Sequence, residues 1–324
     1  MKVLITGRMG VIGSWVSTKF VREGHRPVLM ARHLDNNLIR TIKDKVDIEL
    51  ADVVDLPRIL SIIEKYHVTH IIHMAALIGA LSGQNPPQSI QINVLGTLNI
   101  LEAARFMKVQ RVVFASAKGV YAPIEGEYGP PTYKPITEDY PKKPFRIYDS
   151  AKLMGEHMGQ FYQRTYGLEF AALRFSSTYG IGKTARHGDD KAVLSTLIEG
   201  ALAGKPVLIT KGEYQKNDFI YTNDAAHGVY LACTAGKLNS SAYNIGTGMG
   251  AAVEDFAEEV RRLLPGASVE VRSGVSGGKS TSNCIYDISR AKQDLGYSPQ
   301  FTLRKSIEDY IETLQRLEST AGGS

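Results

Sequence analysis

The feature that most constrains the fold is the alternation of short apolar runs with stretches of helical period through the first half of the chain. Apolar strands that alternate with helices are typical of a parallel sheet covered on both faces. The predicted strands are residues 2–5, 27–31, 46–50, 68–74, 109–115 and 170–175, and the predicted helices are 11–22, 56–65, 92–106 and 150–166. We therefore expect an α/β fold with a doubly wound parallel sheet.

The pattern changes after about residue 176. Helices are predicted at 192–203, 225–235 and 303–317, and short strands at 218–221 and 243–245, with glycine-rich connections between them. We expect one domain from residues 1–175 together with 215–245. A smaller mixed α/β lobe would comprise 176–214 and 246–318, and 319–324 would be a flexible tail. Because open α/β sheets bind ligands at the carboxyl ends of their strands, the smaller lobe is predicted to hold the substrate.

Composition excludes several classes of protein. The 324 residues are 43% hydrophobic and 22% charged, which argues against a disordered chain. The net charge of +5 arises from interspersed charges, so no nucleic-acid groove is expected. Cys233 and Cys284 are too few for a disulfide framework, and no apolar run is long enough to cross a membrane. These features predict a cytoplasmic protein with a small-molecule partner.

A glycine-rich turn follows the first predicted strand and precedes a helix. It comprises Gly7, Arg8, Met9, Gly10, Val11, Ile12 and Gly13. Gly7 lets the chain reverse, Gly10 lets the backbone approach a pyrophosphate, and Gly13 lets the helix pack on the strand. At the first strand–helix junction this spacing predicts a dinucleotide site of the Rossmann type, although a plain tight turn is the alternative.

The end of the second strand bears on the choice of dinucleotide. An acidic residue there would bind the ribose of NAD, whereas an arginine accommodates the extra phosphate of NADP. Ala31 stands at the acidic position, and Arg32 and His33 follow it. We therefore predict NADP, with NAD as the alternative, unless Arg32 is only a solvated loop residue. Asp52, after the third strand, is placed to accept a hydrogen bond from the adenine amino group.

Tyr148 and Lys152 stand four residues apart, which places them on one face of a helix. A nearby ammonium favours the phenolate, so we expect Lys152 to lower the pKa of Tyr148 and let it exchange a proton with a substrate hydroxyl. Tyr-x-x-x-Lys also occurs by chance as an ordinary surface pair. Its position well downstream of a nucleotide-binding turn favours the catalytic interpretation.

With these motifs the chain resembles the extended short-chain dehydrogenase/reductase family, which includes nucleotide-sugar epimerases and dehydratases. The similarity extends over nearly all of residues 1–317. Its further motifs include His73-Met74-Ala75-Ala76, Asn93-Val94-Leu95-Gly96-Thr97, Val120-Tyr121, Arg174-Phe175-Ser176-Ser177, Asp218-Phe219-Ile220-Tyr221 and Tyr243-Asn244-Ile245-Gly246.

The resemblance implies roles for individual residues. Tyr148 would be the acid/base and Lys152 its partner and a ribose ligand. Hydride would pass at nicotinamide C4, and the helices at 92–106 and 150–166 would form a homodimer. Further cofactor contacts are implied for Val53, Ala75, Ala76, Asn93 and Phe175.

The chain departs from the family pattern at the catalytic hydroxyl. The family carries Ser or Thr four residues before the tyrosine of the Val-Tyr pair, and this position is Ala117. The preceding Ser116 is a candidate catalytic residue if its hydroxyl reaches the substrate. Otherwise it is a structural serine, and a water or a donor from the smaller lobe replaces the missing group.

Positions that hold the diphosphate and sugar in nucleotide-sugar enzymes also differ. The usual Asn is Ser177, the usual Arg is Asn217 beside Lys216, and an Arg-rich segment is replaced by residues 276–279. Because a diphosphate favours fixed Arg donors, these changes argue against a nucleotide sugar. Ser177 and Arg186 are candidate substrate contacts, and Arg186 lies in a charged loop with His187 and Lys191.

Two other features, a group of three histidines and a proline-rich stretch, do not by themselves predict a site. His67, His70 and His73 have a spacing of three, but His70 and His73 fall on opposite faces of a strand, so no metal site is predicted. The proline-rich stretch 129–144 is either a lid over the site or a surface loop.

The leading hypothesis is an NADP-preferring oxidoreductase that acts on a secondary alcohol or carbonyl of a small polar molecule. The alternative is a sugar or nucleotide-sugar epimerase or dehydratase with tightly bound NAD(P). A third interpretation, motivated by Ala117, is a non-catalytic NADP-binding sensor.

Overall fold

The computed structural model describes residues 1–7, 10–33, 37–182, 189–210, 215–272 and 283–319. Its strands are β1 (Val3–Thr6), β2 (Val28–Ala31), β3 (Asp47–Leu50), β4 (His70–His73), β5 (Arg111–Ala117), β6 (Glu169–Phe175), β7 (Ser177–Tyr179), β8 (Val207–Ile209), β9 (Phe219–Tyr221), β10 (Ala242–Ile245) and β11 (Val269–Val271). Its α-helices are α1 (Val11–Arg22), α2 (Leu56–Tyr66), α3 (Gly79–Gln84), α4 (Pro86–Ile90), α5 (Gly96–Phe106), α6 (Ile147–Tyr166), α7 (Asp189–Leu202), α8 (Thr222–Thr234), α9 (Val253–Leu263), α10 (Ser289–Leu295) and α11 (Leu303–Ser319).

Seven strands form the central sheet in the order β10-β6-β5-β4-β1-β2-β3. Every neighbouring pair in it is parallel. The strand order reverses beside β1, which is the arrangement of a doubly wound sheet with a ligand crevice at that point. The predicted α/β fold is therefore confirmed.

Alternation along each strand explains why both faces of the sheet are covered. Val3 and Ile5 of β1 point to one face and pack in the same buried cluster as Phe20 of α1. Leu4, between them, points to the other face and belongs to a second cluster with Ile62 of α2. Because fully apolar strands must bury both rows of side chains, helices are required on both sides.

The smaller lobe is built from short elements that the sequence only partly predicted. Two parallel pairs, β7 with β9 and β8 with β11, lie outside the main sheet, whereas β10 joins its edge. Sequence reasoning missed α9, which buries Phe256, Ala257 and Val260. Asp255 accepts a hydrogen bond from the backbone nitrogen of Ala252 at 2.7 Å and so caps the start of α9. The domain boundaries given above remain a prediction.

Four predicted helix starts were wrong, and two of them, those of α7 and α8, lie three residues earlier than expected. The helix expected from residue 92 consists of one wide π-helical turn, Gln91–Leu95, followed by α5. The helix expected from residue 150 begins at Ile147, after Arg146 in an extended conformation. This earlier start places Tyr148 in the first turn of α6 and Lys152 one turn further on.

The stretch 129–144 is packed between other segments. The backbone nitrogen of Ile136 donates to Ile285 O at 2.9 Å, and Asp287 N donates to Ile136 O at 2.8 Å. The backbone oxygen of Glu138 accepts from Arg174 at 2.8 Å. The middle of this stretch therefore connects the smaller lobe to β6.

Within the described ranges, no helix is long and apolar enough to cross a membrane. In the same part of the chain, no three His, Cys, Asp or Glu side chains are grouped so as to hold a metal ion.

Candidate active site

The turn after β1 is shaped by Gly7. Its φ of +71° favours glycine, and a Cβ there would lie 2.4 Å from the backbone nitrogen of Ala75. Gly10 N donates to Gly7 O at 2.9 Å, and Gly10 precedes α1 with no side chain capping the helix. The N-terminus of α1 therefore directs backbone N–H groups and positive dipole charge toward this turn. Of the other predicted contacts, Val11, Ile12 and Gly13 form the first turn of α1, and Arg8 and Met9 lie outside the described residues.

A buried network of hydrogen bonds joins the turn to β4. Thr6 Oγ1 lies 2.8 Å from His73 Nδ1 and accepts from Met74 N at 3.2 Å and Ala75 N at 3.3 Å. His73 Nε2 lies 3.1 Å from Thr97 Oγ1. Burial lowers the pKa of His73 to about 3, so its ring is neutral. His73 thus fixes the ends of two neighbouring strands.

The structure brings Arg32 and Asp52 together at the edge formed by β2 and β3. Arg32 Nη1 lies 3.9 Å from Asp52 Oδ2, and the arginine side chain is half exposed. His33 is also exposed, whereas Val53 is buried. The predicted adenosine end of the site is therefore an accessible edge with one positive and one negative group.

Asn93 lies in the π-helical turn and holds the loop after β4. Its Oδ1 accepts from Leu77 N at 2.7 Å, and its Nδ2 donates to Leu77 O at 2.9 Å and to Ser89 Oγ at 3.1 Å. Since Leu77 directly follows Ala75 and Ala76, Asn93 positions the two alanines that the sequence placed at the cofactor.

Tyr148 and Lys152 lie side by side at the start of α6. Lys152 Nζ is 5.6 Å from the centre of the Tyr148 ring and 4.6 Å from that of Phe114. Lys152 is 2% exposed, whereas Tyr148 is partly exposed and can meet a ligand. Within the described part of the chain, neither the phenol nor the amine has a hydrogen-bond partner.

The expected direction of the tyrosine pKa was wrong for this form of the protein. Burial raises the pKa of Tyr148, and the neighbouring Asp149 raises it further. Burial also lowers the pKa of Lys152 to about 7. Desolvation therefore opposes both the phenolate and the ammonium.

Ser116 takes part in a buried ion-pair cluster. Its hydroxyl donates to Glu156 Oε1, and Arg174 donates to both oxygens of Glu156 at 3.0 and 2.6 Å. Arg174 Nη1 also donates to Tyr121 OH at 3.0 Å. Ser116 and Arg174 therefore join β5 and β6 to α6 one turn beyond Lys152, so the Ser116 hydroxyl contacts a carboxylate that holds α6 against the sheet.

The remaining predicted residues lie on the side of the smaller lobe. Phe175 ends β6 in register with Ala117 of β5 and is buried. The Ser177 hydroxyl accepts from Lys118 Nζ at 2.9 Å and from Asn217 Nδ2 at 2.7 Å. Arg186, the other predicted substrate contact, lies outside the described residues.

Sequence reasoning missed Glu156, Lys118 and Asp149. Glu156 follows Lys152 by one helical turn, which was a detectable signal, but its partner Arg174 is distant in sequence. A Cβ on Gly119 would lie 2.0 Å from Asp149 Oδ1, so the chain after β5 passes directly against the first turn of α6.

A cavity of about 370 Å³ lies elsewhere, between β9, α9 and the start of α11. Its walls include Phe219, Tyr221 and Phe301, and none of the predicted catalytic, cofactor or substrate contacts lines it. The candidate site is therefore identified by its chemical groups and not by cavity size.

The residues present fit a nicotinamide dinucleotide. Gly7 lets the turn after β1 pack directly against the backbone after β4, and the uncapped start of α1 faces the same turn, where its free N–H groups suit a phosphate. The buried amine of Lys152 lacks a hydrogen-bond partner among the described residues. Gly7 and Gly10 would hold the pyrophosphate, Asp52 and Arg32 the adenosine, and Lys152 the nicotinamide ribose.

The fold and the Tyr148–Lys152 pair define an enzyme of the short-chain dehydrogenase/reductase type. A sequence model of the NAD dependent epimerase/dehydratase family matches residues 3–246, and the chain belongs to this family.

Individual relatives are similar over their whole length. The putative UDP-glucose 4-epimerase of Methanocaldococcus jannaschii is 29% identical over 98% of this chain and 100% of its own. The Thermus thermophilus UDP-glucose 4-epimerase complex with NAD has a TM-score of 0.77 and 25% identity, over 97% of this chain and 99% of its own. MoeE5 in complex with UDP-glucuronic acid and NAD has a TM-score of 0.79 and 26% identity, over 98% and 99%.

Proposed function

We propose that the chain is an NAD(P)-dependent epimerase acting on the sugar of a nucleotide sugar. The supporting observation is similarity from end to end. Two relatives, one a putative UDP-glucose 4-epimerase and one a UDP-glucose 4-epimerase, align over 98% and 96% of this chain and over 100% and 98% of their own. Because the alignment includes the smaller lobe as well as the nucleotide-binding domain, it favours a shared substrate class. The alignment therefore supports an epimerase better than an oxidoreductase with a net change of the cofactor, which the changed residues at 177 and 217 had favoured.

The chain's own groups suit reversible proton exchange at a secondary hydroxyl. Tyr148 is partly exposed and would exchange its proton with the substrate at the carbon where the configuration changes. Lys152, one turn along α6, would place its amine beside the phenol, and Glu156 with Arg174 would hold that helix against the sheet. When bound, the nicotinamide supplies a hydride acceptor and then a donor, so the epimerisation has no net redox change.

The test is incubation of the NAD-loaded protein with UDP-glucose and with UDP-galactose, followed by chromatographic separation of the two epimers. We expect interconversion without accumulation of reduced cofactor. Tyr148→Phe should lower the rate by about 10²- to 10⁴-fold with cofactor binding retained. Stoichiometric reduction of the cofactor by a simple secondary alcohol would refute the epimerase in favour of the oxidoreductase. Cofactor binding without turnover of any such substrate would favour the sensor.

We further propose a preference for NADP over NAD. Ala31 at the acidic position and the half-exposed Arg32 after β2 support it. Fluorescence titration should give a lower Kd for NADP, and Arg32→Ala should weaken NADP binding selectively. Equal or tighter binding of NAD by the unaltered chain would contradict this preference, because Asp52 would then be the dominant charge at the adenosine edge.

We also propose a homodimer formed through α5 and α6. Phe106 on α5, and Met154 and Phe161 on α6, are large apolar side chains that are about half exposed. The molar mass in solution can be measured by light scattering, and a mass equal to one chain would contradict the dimer. If the unaltered chain is a dimer, Phe161→Glu should reduce its mass to that of one chain. The cytoplasmic location stays a prediction; the two cysteines, which are buried and free, agree with a reducing compartment.

A further inference from the structure

The cavity between β9, α9 and the start of α11 has an aromatic wall and contains none of the predicted contacts of the candidate active site. Phe219 and Phe256 pack edge to face with ring centres 5.3 Å apart, and Tyr221 and Phe301 do so at 5.2 Å. The volume of about 370 Å³ lies in the range of small-molecule sites. Met249, also on the wall, is 60% exposed, so a ligand can reach the cavity from solvent.

The charged side chains on the cavity wall are mainly acidic. Asp255, Glu258 and Glu259 of α9 line it, and Arg262 is the only cation among the described residues that do so. Arg262 Nη1 donates to Glu259 Oε1 at 2.6 Å, and its Nη2 donates to Glu258 Oε2 at 3.4 Å. Three carboxylates are therefore opposed by one guanidinium, and the wall keeps an excess of negative charge.

One carboxylate oxygen on this wall is left without a donor. Glu259 Oε2 is buried and has no hydrogen-bond partner in the part of the chain that the structure describes. Arg304 of α11 lies within electrostatic reach of Glu259, but its guanidinium pairs with Glu308 at 2.9 Å. Because a buried acceptor without a donor costs free energy, an N–H group of a ligand would offset that cost. A carboxylate binds charged donors most strongly, so it favours a ligand with a positive charge.

The aromatic wall suits the same kind of ligand. Tyr221 OH donates to Asp309 at 2.8 Å, and the hydroxyl of Tyr179 is bonded to that of Ser306. The two tyrosines therefore contribute aromatic carbon to the wall, and their hydroxyls are already engaged. Aromatic rings attract cations through the negative charge of their faces and bury the apolar part of a ligand.

We propose that this cavity binds a small organic cation in which an ammonium group is carried on an apolar or aromatic body. The ammonium would donate to Glu259 Oε2, and the body would lie against Phe219 and Phe301. A neutral or anionic molecule of the same shape would lack the charged donor. The site is separate from the function proposed above and does not depend on it.

The experiment measures the Kd of phenylethylammonium, phenylethanol and phenylacetate for the full chain by ligand-observed NMR titration. The three probes share a phenyl ring on a short chain and differ in charge. We expect the ammonium to bind at least about 10-fold more tightly than either of the others. A smaller preference, or a preference for the alcohol or the carboxylate, would overturn the proposal.

Two variants should change the Kd of the ammonium in opposite directions. Glu259→Gln should weaken binding about 10-fold, because the amide lacks the charge. Arg262→Met should strengthen binding about 2- to 5-fold, because it removes the cation that competes for Glu259. Glu254→Gln is the matched control, since Glu254 lies on the same helix, pairs with Arg261 and does not line the cavity.

Damage to the fold would weaken binding in both variants, so the difference in sign keeps the test decisive. Unchanged binding in Glu259→Gln, an equal loss in Glu254→Gln, or binding that is not strengthened in Arg262→Met would overturn the proposal. Phe301→Leu should weaken ammonium binding about 2- to 5-fold by removing one ring from the wall. An unchanged Kd in Phe301→Leu would overturn the aromatic contact.

Competition separates this site from the candidate active site. Neither NAD nor UDP-glucose should displace the ammonium, because none of the predicted cofactor or substrate contacts lines the cavity. Displacement by either nucleotide would assign the ammonium to the active site and overturn the proposal. If UDP-glucose is not a substrate, the proposed function fails, while the affinities of the three probes and of the variants still decide whether this cavity is a site.

Discussion

Replacing Lys152 by methionine should stabilise the ligand-free protein, because the fold buries an amine without a hydrogen-bond partner among the described residues. Burial lowers the pKa of Lys152 from 10.5 to about 7, and its Nζ lies 4.6 Å from the centre of the Phe114 ring. Each pH unit between the two pKa values corresponds to about 1.4 kcal/mol. At or below neutral pH, the whole interval corresponds to a loss of about 5 kcal/mol in the free energy of unfolding. Because the site can relax around the charge, we expect Lys152→Met to raise the free energy of unfolding by about 2–3 kcal/mol.

The pH dependence provides the sharper test. Between about pH 7 and pH 10.5 the unfolded chain carries a proton on Lys152 that the folded protein has released. The free energy of unfolding of the unaltered chain therefore rises with pH across that window. The advantage of Lys152→Met should be largest at or below about pH 7 and should disappear near pH 10.5.

Urea unfolding can be followed by the fluorescence of Trp15, the single tryptophan, which is buried in α1. Lys292→Met removes an exposed lysine on α10 and serves as the control, with a stability change of about 0.5 kcal/mol or less. A Lys152→Met variant that is less stable than the unaltered chain, or a stability difference that does not change with pH, would refute the reasoning.

Two further variants test the scaffold of the site. Gly7→Ala should lower the free energy of unfolding by about 1–3 kcal/mol more than Gly24→Ala and abolish dinucleotide binding. Both glycines have positive φ, but only at Gly7 would the Cβ meet backbone; equal effects of the two changes would contradict this. Glu156→Gln should cost about 3–5 kcal/mol in urea unfolding because it leaves Arg174 buried without its ion-pair partner. A loss below about 1 kcal/mol, as expected for Glu308→Gln in a partly exposed ion pair, would show that the Glu156–Arg174 pair contributes little.

Local patterns predicted the sheet and the nearness of Tyr148 to Lys152. The apolar runs gave β1, β2 and β4 to within a few residues, because a strand buried on both faces has no polar alternation to obscure it. Gly7 and the four-residue spacing of Tyr148 and Lys152 were also visible, since each depends on residues close together in the chain. The short strands β8 and β11 were missed because three-residue runs carry too little periodicity.

By itself, the sequence determined the fold class, the glycine turn after β1 and the placing of Tyr148 and Lys152 on one helix, because periodicity and short-range spacing encode these features. Tertiary structure decided how burial shifts the pKa values of Tyr148 and Lys152, which partner takes the hydroxyl of Ser116, and which cation lies beside Ser177 and Asn217. Desolvation and long-range hydrogen bonds depend on which segments meet in space. Lys118 lies 59 residues from Ser177 and 99 from Asn217, so only the folded chain brings the three together.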